Sequence, residues 1–368
     1  MSSKSSIKNL LHLSIPIFFA NLAIPLVAIV DTGLMGNLDD ASYLTATSIA
    51  SGLFSMIFFS FGFLRMGTVG MVAQAHGSNQ YNEIVDLVFR NITFVIVISL
   101  LLIFLQHFIF NLGLQIFDLS NDTEKYFKDY FYIRIYSSFG ELTIFVITGL
   151  FIGLQKTKIS SVVVGFFSVT NIIFSLFFVL YFKLNVTGVA LGTLVSSTLT
   201  SFIFLIYTFF ELKKLTNINF DIKKIFNIKK IQNIFNINFN IFIRSVLLTF
   251  SFLFFTYLGN TISEDVVAAN TILINLIFLS AFILDAYAFS TEGIVGYSIG
   301  SKNITLLRNV IKNSFMLSAS TGLLISLLYF FGKNHFISLM TDLPHIKTIS
   351  LSYSYWVVII PFISSFCY

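Results

Sequence analysis

A single cysteine, Cys367, excludes an internal disulfide and leaves no thiol cluster for a metal. Charge is scarce too. Asp, Glu, Lys and Arg make up 11% of the 368 residues against 56% hydrophobic ones, with a mean hydropathy of +0.88, which excludes an ordinary water-soluble domain. No phosphate-cradling P-loop, no HExxH pair and no nucleophile elbow occurs, so no catalytic chemistry is written in the chain and an ATP-driven pump would need a second polypeptide. His12, His76, His107, His335 and His345 lie near span ends or loops without metal-ligand spacing. The net charge of +5 sits outside the apolar runs and does not point to nucleic acid.

What is present is apolar length. Runs near 13–35, 47–72, 91–112, 130–153, 160–182, 188–210, 237–258, 266–297, 309–331 and 349–368 are each long enough to cross a bilayer as a helix, so an all-α integral membrane protein with ten spans is predicted. The second and eighth are too long for a straight crossing. The first follows Lys4 and Lys8, exceeds a signal-peptide core and is succeeded by further spans, so it is read as a retained helix. Placing the N-terminus in the cytoplasm puts 14 of the 22 basic residues inside and 5 outside, with Arg65, Arg134 and Arg244 within or at the ends of spans. That asymmetry fixes the expected orientation by the positive-inside rule.

The chain also repeats itself. At an offset of 223 residues, "GNLDDASYLTATSIASGL" from Gly36 falls on "GNTISEDVVAANTILINL" from Gly259, and "AHGSN" from Ala75 falls on "SIGSK" from Ser298. Paired Gly-Asn and Gly-Ser steps punctuate loops at equivalent places, which apolar coincidence would not produce. Six helices per unit return the chain to the same side, so the units are expected to be related by an axis along the membrane normal, with a substrate site between them. The expected organisation is a first lobe over 1–210, a cytoplasmic linker over 211–236 and an incomplete second lobe over 237–368. The linker alternates lysines with Ile and Phe and reads as an interfacial amphipathic segment or, alternatively, a solvated one. A second unit of equal length would run about 65 residues past Tyr368, so two further helices, making twelve, are expected of a complete repeat.

Several charges lie inside these spans. Asp31, in "VAIVDTGLMG", sits where a carboxylate costs about 2.5–3.5 kcal/mol on insertion scales. An acid held in hydrocarbon is poorly hydrated when charged and can exchange a proton in the working pH range, which a coupling site requires. Pro25 frees the Asn21 carbonyl and loosens the helix, and Asn21, Ala28 and Asp31 fall roughly on one side. The competing reading is a structural acid clamped by an arginine. Asp285 and Glu292, two helical turns apart, share one face and form a candidate cation or substrate locus in the second lobe, unless one pairs with Arg244 for packing. Arg65, midway along the second span, is expected to need an acidic or carbonyl partner and is read as structural. Arg134 and Glu141 share a face and read as a structural ion pair.

The stretches "LSIPIFFANLAIPLVAIVDTGLMGNLD" from 13, "FLRMGTVGMVAQAHGS" from 63, "NVTGVALGTLVS" from 185, "ILDAYAFSTEGIVGYSIGS" from 283 and "YWVVIIPFISSFCY" from 355 together resemble the multidrug and toxic compound extrusion (MATE) family, in its DinF-like branch. The resemblance implies two six-helix lobes forming a V, in a bacterial cytoplasmic membrane. It implies export of amphipathic, often cationic small molecules against an inward flow of protons or sodium ions, with no enzymatic cofactor. By resemblance, Asp31 matches the family's cation-coupling aspartate and Asn171 a supporting asparagine. Ser175 stands where the family often has a second aspartate, which throws the coupling onto Asp31. Partners are expected to be substrate and lipid, with the protein a monomer. The alternatives are a flippase for a lipid-linked or oligosaccharide substrate, and a non-transporting remnant.

Overall fold

The computed structural model describes residues 7–38, 40–117, 119–216 and 227–367. The helices are α1 (Ile7–Gly36), α2 (Ala41–Ser60), α3 (Phe63–Gly77), α4 (Tyr81–Phe104), α5 (Gln106–Ile116), α6 (Asn121–Arg134), α7 (Ser138–Gly153), α8 (Thr157–Leu176), α9 (Asn185–Leu215), α10 (Ile228–Ile262), α11 (Glu264–Gly300), α12 (Ile304–Met340), α13 (Pro344–Tyr353) and α14 (Tyr355–Ser364). Among the described residues nine helical stretches are long and apolar enough to cross a bilayer, and α13 with α14, meeting at 43°, make a tenth. These match the ten predicted runs. The overlong second span is broken between α2 and α3 at Phe61 and Gly62, whereas the overlong eighth is the unbroken helix α11. Of the segment expected as a linker, 211–215 finishes α9 and 228–236 begins α10, while 217–226 lie outside the described residues.

Helices dominate because a lipid-exposed backbone must satisfy its own polar groups. Side-chain hydroxyls follow the same rule by bonding back along the helix, as Ser14 Oγ does to the Leu10 carbonyl at 2.7 Å and Thr148 Oγ1 to Ile144 at 2.8 Å.

The repeat is visible residue by residue. Asp40 caps α2 and its equivalent at the same offset, Ser263, caps α11, each accepting a hydrogen bond from a backbone N–H of the first turn. α3 ends at Gly77 and α11 at Gly300; α4 starts at Tyr81 and α12 at Ile304. The intervening turns each hold one left-handed residue, Asn79 with φ 58° and Lys302 with φ 53°. Every one of these pairs obeys the single offset that aligns Gly36 with Gly259.

Among the described residues, the buried apolar clusters shared by the two lobes lie toward one end. On the face where α1 begins, Leu10 and Leu13 pack with Ile294, Leu306 and Val310, and Ile17 and Val69 pack with Ile152, Ala286 and Phe289. Toward the opposite face the buried cores separate: Ala46, Phe54, Phe127, Phe131 and Leu142 belong to the first lobe, and Ala269, Leu276, Tyr329, Ile337 and Val357 to the second. The closed end is tight because glycines line it. A Cβ at Gly77 would sit 2.1 Å from the Tyr297 carbonyl oxygen, and one at Gly300 would sit 2.0 Å from that of Gln74. Tyr297 is the repeat equivalent of Gln74, so the two contacts are one contact made twice across a pseudo-twofold axis.

Candidate functional site

Two polar clusters lie inside the spans. In the first lobe, Asp31 on α1 approaches the Ser175 hydroxyl of α8, and its Oδ1 is buried without a hydrogen-bond partner. Ser175 Oγ donates to Asn171 Oδ1 at 3.4 Å, and Asn171 Nδ2 donates to Thr193 Oγ1 of α9 at 3.0 Å. Glycine makes this possible: a Cβ at Gly192 would meet Ser175 Oγ at 2.5 Å and its backbone N at 2.7 Å, so α8 and α9 touch backbone to backbone. Asn21 is not part of the cluster. Its Nδ2 donates to the Phe282 carbonyl at 3.3 Å, joining α1 to α11 of the other lobe.

Arg134 stands near this cluster but is engaged elsewhere. Its guanidinium is hydrogen-bonded to Ser137 and Glu141, and Ser137 Oγ donates to Glu141 at 2.9 Å. The rings of Phe54 and Phe58 lie 5.2 and 5.3 Å from its Cζ. Arg134 remains within electrostatic reach of Asp31, yet no ion pair to Asp31 occurs among the described residues. Tyr130, fully buried, lies beside both. Sequence reasoning passed over Tyr130 and Thr193. The spacing of 130, 134, 137 and 141 along one helical face was the available signal for the first, and nothing distinguished the second.

The second cluster straddles the lobes. Asp285 and Glu292 flank Phe289 on one face of α11, and the guanidinium carbon of Arg65, from α3 of the first lobe, lies 3.9 Å from the Phe289 ring centre. Glu292 is turned toward α3, its Oε1 4.0 Å from where a Cβ on Gly70 would be. Arg244 on α10 is exposed and donates to the Met66 sulfur at 3.2 Å. Both guanidiniums lie within electrostatic reach of both acids, and no ion pair joins the four among the described residues. Two carboxylates and two guanidiniums therefore lie within electrostatic reach of one another where α3 of the first lobe meets α11 of the second. No group of three His, Cys, Asp or Glu that could hold a metal occurs among the described residues.

The model of the MatE family matches residues 16–177 and again 241–368. The chain belongs to the MatE family. Its members are transporters, not enzymes, and this MATE protein is a multi-pass membrane efflux transporter of small molecules. It is 29% identical over 364 residues to the DNA damage-inducible protein F of Escherichia coli strain K12, covering 99% of this chain and 79% of that protein. Its fold matches a Vibrio cholerae MATE transporter, VcmN, solved as a variant, at a TM-score of 0.86 with 20% identity over 99% of this chain and 82% of the other. It also matches an outward-facing multidrug resistance MATE transporter at a TM-score of 0.87, with 16% identity over 98% and 80% of the two chains.

Proposed function

We propose that this MATE transporter exports amphipathic cations from the cytoplasm of a bacterial cell in exchange for protons, sodium being the alternative coupling ion, with Asp31 as the coupling group. The observation that carries the reading is the Asp31 carboxylate. It has a buried, unpartnered oxygen, neighbours that are hydroxyls and amides, and a nearby arginine whose hydrogen bonds go to Glu141 and Ser137. An acid so placed is free to gain and lose a cation, whereas one clamped by a guanidinium is not.

The excess of basic residues on that side supports a cytoplasmic closed end, with the lobes parting toward the outside. A proton entering from outside would bind Asp31, change how α1 seats on α8 and favour cargo release; its loss toward the cytoplasm would reset the site. Linkage demands that the ion bind one state more tightly than the other. In the second lobe, Asp285 and Glu292 supply the negative charge a cargo cation needs. A flippase for phosphate-bearing lipid would call for unopposed cations, and the two arginines here face two acids.

Asp31→Asn keeps the shape and removes the titration. Dye uptake into everted vesicles, which is export seen from the cytoplasmic face, is expected to be abolished under an imposed pH or sodium gradient while the amount of inserted protein is unchanged. Efflux at the wild-type rate by that variant overturns the assignment.

A further inference from the structure

Arg65 is more than a packing charge. Its guanidinium belongs to the first lobe, yet the groups it faces belong to the second: the Phe289 ring at 3.9 Å, flanked by Asp285 one turn before and Glu292 one turn after. Its Nε is buried and makes no hydrogen bond. An aromatic face with a carboxylate on either side is the ordinary chemistry of a receptor for an organic cation. Here that receptor is filled by a cation of the protein itself. Phe289 also packs with Ile17, Val69 and Ile152 at the level where the lobes still touch, so opening the closed end draws α3, and Arg65 with it, away from α11.

We propose that Arg65 is a tethered competitor of the cargo: it occupies the cation site formed by Asp285, Phe289 and Glu292 when the lobes are closed at the end where α1 begins, and vacates that site when they separate. The site is then offered to flat, delocalised cations that stack on Phe289. Closure returns Arg65 and displaces them toward the cleft. The same acids thus bind cargo well in one state and poorly in the other without a change in their own position, which is the differential affinity a pump requires. The inference rests on the cationic-export reading of the protein.

The test is ethidium binding and ethidium efflux, measured on the full chain reconstituted in nanodiscs and vesicles, with all variants compared in one buffer at one pH. Arg65→Gln is expected to bind ethidium at least tenfold more tightly than wild type and to export it more slowly, because the competitor is gone and cargo is retained. Arg65→Lys is expected to fall between. Adding Asp285→Asn and Glu292→Gln to Arg65→Gln is expected to erase the gain. A purely structural arginine would give weaker or unchanged binding on removal, and either result overturns the proposal. Should Arg65→Gln fail to fold, Phe289→Leu carries the test: it weakens ethidium binding if the ring is the shared platform and leaves it unchanged if it is not, the latter refuting the proposal. Wild-type protein that exports no ethidium under any gradient would instead sink the cationic-export reading.

Discussion

The closed end of the molecule rests on two glycines, and replacing either should prise it apart. In Gly300→Ala the new methyl would lie 2.0 Å from the Gln74 carbonyl oxygen and 2.9 Å from the Gln74 Cα; in Gly77→Ala it would lie 2.1 Å from the Tyr297 carbonyl oxygen. Both obstacles are backbone, so neither can swing away as a side-chain tip would. Overpacking of this kind costs about 1–3 kcal/mol. The cost exists only while the lobes touch at this end. It therefore shifts the equilibrium toward the state open on this face by roughly 5- to 150-fold. Spin labels on the exposed, repeat-equivalent pair Ser78→Cys and Ser301→Cys, in a Cys367→Ser background, would report the separation directly. Each glycine variant should populate a longer distance, both should do so to a similar degree because the contact is symmetric, and efflux should slow. Gly165→Ala, where a methyl meets nothing within 4 Å, should leave the distances alone. Wild-type distance distributions in both interface variants would refute the argument.

Two further outcomes follow from the ion pairs. In Glu141→Gln the guanidinium of Arg134 loses its carboxylate and becomes available to Asp31; gradient-driven dye efflux is expected to fall at least tenfold, with insertion checked by quantifying the protein in membranes, and undiminished efflux would mean that Arg134 does not restrain the coupling acid. Lys230, on the first turn of α10, pairs with Glu83, which also binds the buried Arg90, and so ties the second lobe to α4 of the first. That lysine side chain is 43% exposed, so Lys230→Ala should weaken closure by only about 0–1 kcal/mol. The same labelled pair should show a modest increase in the open population that high salt reproduces in the wild type.

The span count, the repeat and its offset were legible because each rests on periodic or punctuating features: apolar length and the paired Gly-Asn and Gly-Ser steps. Spacing also put Arg134 on Glu141, since residues seven apart on one helix share a face whatever surrounds them. Contacts between helices were not legible. The one-sided placement of Asn21 and Asp31 on α1 groups them in the sequence, but ten positions of helix separate them, and the Asn21 amide donates to a carbonyl of α11. Arg65 invited a search for a partner, yet only the meeting of the lobes shows that its neighbours lie on α11. Thr193 reaches Asn171 because Gly192 lets two helices touch, and the depth of that approach has no signature in a single sequence.

The repeat accounts for the scaffold and, in doing so, isolates the chemistry. Repeat equivalents share helix ends, caps, turn conformations and the glycine contact, but they do not share charge. The equivalent of Asp31 is Phe254, of Arg65 Ala288, of Asp285 Gly62, of Glu292 Val69, of Arg134 Val357 and of Glu141 Ser364. Even the closed end differs across the pseudo-twofold axis. Glu83 and Lys230 form an ion pair on one side, while their equivalents, Leu306 and Ile7, are apolar, and Leu306 packs in the cluster of Leu10 and Leu13. A duplicated bundle needs both halves alike in backbone to rock about a common axis, and nothing in that motion needs charge. Charges inside the membrane are costly and lapse unless something retains them. Their one-sided placement, with Asp31 in the first lobe and Asp285 and Glu292 in the second beside an arginine of the first, is the asymmetry that the proposed division of labour needs: on that proposal one lobe exchanges the driving ion, the other holds the cargo, and Arg65 carries the position of one lobe to the site of the other.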